Sequence, residues 1–320
     1  MVAHLEQIAV VGGGYMGGGI AQTFALNGIQ CLLADADADL ARESVERLER
    51  EATRYESMGL FPEGASLQVE ENLSAAVSVD EAVEGADYIA EAVPEEPNLK
   101  KSVLTRIADA AKADAVIASN TSAIPISELA TSVALPERFL GAHWMNPAPF
   151  VPCVEIISTS QTDPSIVDAV ITLLRRAGKL PTRVTDSPGF VANRLQYALF
   201  KECARLVEEG TADPRQIDEV VQNSFGFRLP FFGPFAIADI AGLDVYCGGF
   251  TTMEKVFGER MATPHLLTDL VSSGRLGAKS LAGFYDYENE TATRVADYRD
   301  RAYSRLLSLR NNIDDEEAVT

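Results

Sequence analysis

The stretch Gln7-Ile-Ala-Val-Val-Gly-Gly-Gly-Tyr-Met-Gly-Gly-Gly-Ile20 constrains this chain more than any other. The apolar run Ile8 to Val11 suits a short strand buried on both faces, and Gly12, Gly14 and Gly17 follow it at G-x-G-x-x-G spacing. Ile20, Phe24 and Ala25 then fall on one helical face, up to Asn27-Gly28, residues that stop a helix. In such a unit one glycine makes the tight turn, one admits a pyrophosphate to the backbone, and one lets helix pack on strand. The phosphates sit at the positive end of the helix dipole. Taken alone, the same spacing also describes a tight turn in any α/β protein. The next strand, Gln30 to Ala34, ends on Asp35, 18 residues past Gly17. A carboxylate there accepts from the ribose hydroxyls of NAD and repels the extra phosphate of NADP. No Arg or Lys follows closely, so the pattern points to NAD.

A chain of 320 residues, 47% hydrophobic and 23% charged, is globular and long enough for two domains. Its 27 basic and 47 acidic residues give a net charge of −20, which repels nucleic acid and anionic membrane surfaces. Cys31, Cys153, Cys203 and Cys247 form no C-x-x-C pair, so neither a metal site nor a disulfide framework is expected. The N-terminus runs directly into the first strand and no apolar run reaches transmembrane length. A cytoplasmic protein is expected.

After Asp35 a polar helix is predicted from about 39 to 58, with an alternating acid and base face, and Leu73 to Val79 reads as a strand. Buried strands are predicted at 86–91, 115–119, 139–143, 154–157 and 182–185, with helices between them; Asp163-Pro164 starts the helix that runs to 177. Strands alternating with helices predict a Rossmann-type, doubly wound, mostly parallel sheet over residues 1–185. From Asp186-Ser-Pro-Gly189 onward the pattern is helical, so residues 186–320 are expected to form an all-α domain.

Of three histidines, His4 lies at the N-terminus and His265 in a helical stretch; both read as structural or exposed. His143 ends a predicted strand at the carboxyl edge of the sheet, where α/β proteins bind ligands. Glu155 follows 12 residues on, past a proline-rich turn. A carboxylate on one ring nitrogen would fix the tautomer and stabilise the charged ring, as a general base requires. Alternation equally allows Glu155 to face solvent. Ser119-Asn-Thr-Ser122 leaves another buried strand at the same edge; it is either a simple turn or a source of donors to a substrate oxygen.

Taken together, G-x-G-x-M-G, Glu91-Ala-Val-Pro-Glu95, Ser119-Asn-Thr-Ser122, His143-Trp-Met-Asn-Pro147, Val154-Glu-Ile-Ile157 and Pro188-Gly-Phe-Val-Ala-Asn-Arg194 resemble the L-3-hydroxyacyl-CoA dehydrogenase superfamily over about residues 6–287. The resemblance implies His143 as general base, Glu155 as its orienting carboxylate, and Ser122 and Asn193 as donors to the reacting oxygen. It implies NAD contacts at Gly12, Gly14, Tyr15, Met16, Gly17, Asp35, Glu95, Lys100, Ser122 and Asn146. A further one falls at Lys279, where Leu281 departs from a usual glycine. A homodimer formed through the second domain is also implied.

Two departures bear on substrate. Where acyl-CoA members place CoA-binding serine and lysine on the helix after the second strand, this chain has Glu51 and Met58 on an acidic helix, a poor seat for a phosphate. The longer turn Gly226-Phe-Arg-Leu-Pro-Phe-Phe-Gly-Pro234 resembles the branch acting on small hydroxy acids, which includes L-gulonate 3-dehydrogenase (lambda-crystallin) and carnitine dehydrogenase. His-Trp-x-Asn-Pro and Ala241-Gly-Leu-Asp-Val-Tyr246 also look similar to a dehydrogenase of vitamin B6 breakdown. Arg228 is accordingly the candidate clamp for a substrate carboxylate, or else a surface arginine. The expected function is NAD-dependent oxidation of the 3-hydroxyl of a small hydroxy acid to a ketone. The alternatives are a 3-hydroxyacyl-CoA dehydrogenase and an NAD-binding, crystallin-like structural protein.

Overall fold

The computed structural model describes residues 5–311, except for the side chains of 289–293; His4 and the acidic residues 314–317 lie outside the described residues. Two compact units make up the chain, residues 1–199 and 200–320. The division falls inside the helix Ala192–Glu208.

The first unit is built on one eight-stranded sheet of order β3-β2-β1-β4-β5-β6-β7-β8. Its strands are β1 (Ile8–Val11), β2 (Cys31–Ala34), β3 (Leu73–Ala75), β4 (Tyr88–Glu91), β5 (Val116–Ser119), β6 (Phe139–Trp144), β7 (Cys153–Ser158) and β8 (Leu180–Thr185). All neighbours pair in parallel except β6 and β7. Alternation explains the continuous apolar runs: Ile8 and Val10 enter the core on one face with Phe24, while Ala9 and Val11 enter the core on the other with Leu104. Chain order reverses between β1 and β4, and the glycine loop opens there, at the place where doubly wound sheets bind nucleotides.

Two helices frame that opening. The first, α1 (Tyr15–Leu26), starts on Gly14 with no side-chain cap, so its first N–H groups are left for a ligand. The second, α2 (Ala38–Ser57), is capped by the Asp37 carboxylate accepting from Leu40 N at 2.9 Å and buries Ala41, Val45, Leu48 and Ala52 along one stripe. The strand expected over 73–79 stops at Ala75, because Ser78 accepts from Glu81 N and begins a short helix, Val79–Glu84.

The described residues of the second unit are mostly helical, with isolated β-bridges at Gly277–Ala282 and Ala282–Asp286. Its helices Pro234–Ala241, Leu243–Phe257 and His265–Ser272 meet around buried Ala238, Leu243 and Leu267. The carboxylate of Asp239, fully buried, accepts from the N–H groups of Phe284 and Tyr285 and from the Tyr287 hydroxyl, which fixes the segment after the third helix. Among the described residues no helix is long and apolar enough to cross a membrane, and all four cysteines are free thiols.

Candidate active site

A cleft of about 440 Å³ lies over the carboxyl edge of the first unit's sheet, lined by Gly12, Gly14, Tyr15, Met16, Asp35, Ala92–Glu95, Asn120 and Ser122. The glycines are required by space as well as by backbone. Gly12 has φ 105°, and a Cβ there would stand 2.8 Å from Ala92 O; one on Gly17 would stand 1.8 Å from Gly12 O. A Cβ on Gly14 meets nothing within 4 Å, so what the loop keeps clear at that point is the cleft itself. Asp35 follows β2 directly, with Oδ2 accepting from Gly13 N and Oδ1 from Ala36 N, both at 2.7 Å, so the carboxylate is held at the rim. Uncapped helix N-terminus, glycine cradle and fixed acid fit the pyrophosphate and ribose of NAD.

The antiparallel pairing of β6 and β7 sets His143 directly opposite Glu155; neither residue lines that cleft. Facing residues on adjacent strands are close enough for their side chains to touch. Here His143 Nδ1 and Glu155 Oε2 are 2.8 Å apart, and both residues are buried, at 4% and 3% exposure. The solvent-facing alternative for Glu155 is thereby excluded. Its second oxygen, Oε1, accepts from Val191 N and Ala192 N, each at 3.0 Å, at the start of the helix Ala192–Glu208. The carboxylate is therefore held on both sides and the imidazole can take only one orientation about it. The Phe190 ring lies 5.5 Å from that of His143, on a residue with φ 45°, a backbone region unfavourable for any side chain but glycine. Nε2 of His143 has no hydrogen-bond partner among the described residues.

Asn193 donates from Nδ2 to Ser122 O at 3.1 Å, so two residues 71 apart in sequence meet beside this pair. Asn120, in the same loop, accepts from Trp144 N at 2.9 Å and ties the loop to the strand that carries His143. Glu95 accepts from the Thr121 hydroxyl and from Ser122 N and Ala123 N. Burial would raise its carboxyl, but these donors and Lys100 outweigh it and hold it below the usual carboxylate range. The loop 119–123 is thus braced, not a free turn.

Lys100 is placed differently from the resemblance's expectation. It is 1% exposed, does not line the cleft, and its Nζ binds Glu91 at 2.8 Å and Val93 O at 3.0 Å; Glu91 in turn accepts from Ser119 Oγ. A buried ammonium needs such a partner, and this one supports the 92–95 loop from beneath. Asn146 is exposed at the cis Asn146–Pro147 peptide that opens the β6–β7 turn. In the second unit Lys279 pairs with Asp244 at 2.5 Å, and Leu281 adopts φ 58°, which accounts for the glycine usual there. Arg228 lines a separate cavity of about 400 Å³ with Ile237, Ile240, Ala241, Arg299 and Tyr303. Among the described residues no group of three or more His, Cys, Asp or Glu could hold a metal ion.

Sequence reading misses Phe190, the Val191 and Ala192 N–H groups, Arg299 and Tyr303. The first three fall within or beside the Pro-Gly-Phe-Val-Ala-Asn-Arg motif, which is the signal that could have found them.

Two family descriptions match in tandem: "3-hydroxyacyl-CoA dehydrogenase, NAD binding domain" over residues 7–187 and "3-hydroxyacyl-CoA dehydrogenase, C-terminal domain" over 189–287. A 5-formyl-3-hydroxy-2-methylpyridine 4-carboxylate 5-dehydrogenase of Mesorhizobium japonicum is 32% identical, over 98% of this chain and all of the relative. A 3-hydroxybutyryl-CoA dehydrogenase of Clostridioides difficile is 33% identical over 88% of this chain and 99% of the relative. Among solved structures, a 3-hydroxyacyl-CoA dehydrogenase of Archaeoglobus fulgidus superposes with TM-score 0.80 at 29% identity, covering 96% of this chain and 99% of that one.

Proposed function

Because the chain belongs to the 3-hydroxyacyl-CoA dehydrogenase family and is an NAD-dependent oxidoreductase acting on CH–OH groups, we propose that its substrate is a small hydroxy acid whose 3-hydroxyl becomes a ketone. The buried His143–Glu155 pair carries this reading. Bound NAD, held by Gly12, Gly14, Tyr15, Met16, Gly17 and Asp35, supplies the hydride acceptor. His143 takes the hydroxyl proton on Nε2, and Glu155 holds the resulting imidazolium through Nδ1. Ser122 and Asn193 donate to the substrate oxygen as its charge changes. Glu95 and Asn146 remain candidate cofactor contacts, Lys100 acts through Glu95, and Lys279 has the Asp244 pair to give up first.

The substrate class rests on two opposed charge patterns. Glu51, in the place of a CoA-binding serine, lies 3.5 Å from Arg47, and Met58 is 61% exposed. On the same helix Glu49 has its carboxyl raised by burial and by the neighbouring Glu70 and Glu46. A CoA phosphate would add negative charge to that crowd. In the second unit, by contrast, Arg228 has no carboxylate partner among the described residues, and its cavity is also lined by Tyr303 and by a second guanidinium, Arg299, which pairs with Asp300 at 2.8 Å. Arg299 and Tyr303 stand one turn apart on the helix Asn289–Asn311, past the end of the matched family domain. Such a pair suits a carboxylate.

A screen for NADH formation over free hydroxy acids and hydroxyacyl thioesters tests the assignment. Turnover of acids well above thioesters supports it; thioesters alone would overturn it. We place the same protein in the cytoplasm, where four unpaired thiols stay reduced, and as a homodimer. The dimer would cover second-unit side chains such as Val245, Val256, Phe257 and Leu266, exposed at 61%, 76%, 46% and 59%. We keep residue 186 as the functional boundary, supported by the junction of the two family matches at 187 and 189. Sedimentation velocity checks the assembly.

A further inference from the structure

Lys179 precedes β8 and is 4% exposed, yet it has no ion-pair partner among the described residues. Its Nζ donates to three main-chain carbonyls instead: Ala148 at 2.5 Å, Pro149 at 3.2 Å and Val151 at 3.1 Å. An ammonium has three donors, so the set is filled. These carbonyls all belong to the turn that joins the strand of His143 to the strand of Glu155. Prolines at 147, 149 and 152 remove N–H groups from that turn, which leaves its carbonyls short of backbone partners. Pro147 O accepts from Phe150 N and Val151 N, Pro152 O accepts from Leu180 N, and Lys179 satisfies the three named above.

The turn has neighbours on the cofactor side. A Cβ on Gly19 of α1 would stand 3.2 Å from Ala148 Cβ and 3.3 Å from Pro149 Cδ, so the turn lies directly on the helix that follows the glycine loop. Phe150 packs on Tyr55 of α2 at 5.6 Å and on Phe61 at 5.4 Å. The Lys179 ammonium lies 5.6 Å from the ring centroid of Trp144, a ring that also meets Phe24 of α1 edge-on at 5.6 Å. Trp144 is the residue after His143.

We propose that Lys179 is a positioning residue for the dehydrogenase reaction: by gathering the carbonyls of the 148–151 turn over Trp144, it sets His143 and Asn146 against the cofactor helix. It touches no reacting atom. The inference rests on the roles given above to His143 and Asn146, but the anchor itself can be tested apart from them.

Trp144 is the sole tryptophan of the chain, so its fluorescence reports this one place. In Lys179→Met, which keeps length and loses charge and donors, acrylamide quenching of Trp144 should rise at least twofold. At a temperature well below unfolding, kcat should fall by about tenfold to a hundredfold, the scale set by a displacement near 1 Å at a reacting group. NADH binding by calorimetry should weaken far less than kcat falls, since the glycine loop and Asp35 are untouched and only the Asn146 contact moves. Lys179→Ala should regain part of the lost kcat with added ethylammonium. Unchanged quenching, or changed quenching with unchanged kcat, overturns the proposal. Should Lys179→Met not fold, Lys179→Arg, which keeps the cation but displaces the turn, must give the same joint change. Failure of the His143 assignment would show separately, as turnover surviving in His143→Asn while the Trp144 response to Lys179→Met remains.

Discussion

At the scale of single residues, the account turns on what each side chain's neighbours leave it free to do. Glu155 spends one oxygen on two N–H groups and the other on His143. Glu155→Gln keeps the shape and removes the charge that would stabilise an imidazolium. We expect kcat to fall by about 10- to 100-fold, since hydrogen bonds to a charged group carry about 1.5–3 kcal/mol, and the melting temperature to fall with it, because one amide oxygen cannot accept from both His143 and the Val191 and Ala192 N–H groups; steady-state kinetics beside a thermal melt would check it. Undiminished kcat would remove Glu155 from the proton path. Leu281 shows the opposite case, a residue whose neighbours impose a cost. With φ 58° it pays about 1 kcal/mol that glycine does not. Leu281→Gly should therefore raise the urea midpoint of the second unit by an amount equivalent to roughly 1 kcal/mol, less the entropy that glycine adds to the unfolded chain. A lower midpoint would show that the side chain's packing outweighs its backbone strain.

At the scale of elements, the strand–loop–helix unit separates folding from binding. Gly17→Ala forces a Cβ to within 1.8 Å of Gly12 O, while Gly14→Ala places one in open space. The first should lower stability by several kcal/mol, in the range of severe backbone and packing defects. The second should leave the melt unchanged and weaken NADH binding about tenfold or more by blocking close approach of the pyrophosphate. Equal NADH affinity in Gly14→Ala and wild type, by calorimetry, would contradict the placement of the cofactor. This unit was legible in the residues because its information is local: Ile8–Val11, the glycines and Asp35 lie within 28 positions. The His143–Glu155 pair was legible for a similar reason, since an eight-residue hairpin-like connection, 145–152, brings two strand residues 12 apart face to face. What stayed hidden are convergences across the fold. Lys179 reaches back 31 residues to Ala148, Val191 N reaches Glu155 across 36, and Lys100 meets the buried Glu91. Periodicity reports which face is inside, but not which polar atoms meet there.

At the scale of the whole molecule, stability and function depend on charges held in different places. Asp87 lies outside the cleft, at the other end of β4, and accepts from Glu6 N and Gln7 N while pairing with Lys112. Burial would raise its carboxyl, but these partners outweigh that and hold it below its ordinary 3.8. A carboxyl depressed in the folded state contributes stability that is fully present above its unfolded value and is lost as pH falls through the folded one. Asp87→Asn should therefore be less stable than wild type near neutrality by about 1–2 kcal/mol, and the gap should close in strong acid. A gap independent of pH in urea titrations would refute that origin. The nucleotide cleft, in contrast, should tolerate loss of the His143 imidazole without loss of fold or cofactor, because the glycine loop and Asp35 are held by hydrogen bonds of their own. The most direct test of the account is thus turnover and NADH affinity measured together in His143→Asn. The account predicts kcat lower by about 10³ with NADH bound within threefold of wild type; turnover within tenfold of wild type at the same affinity would contradict it.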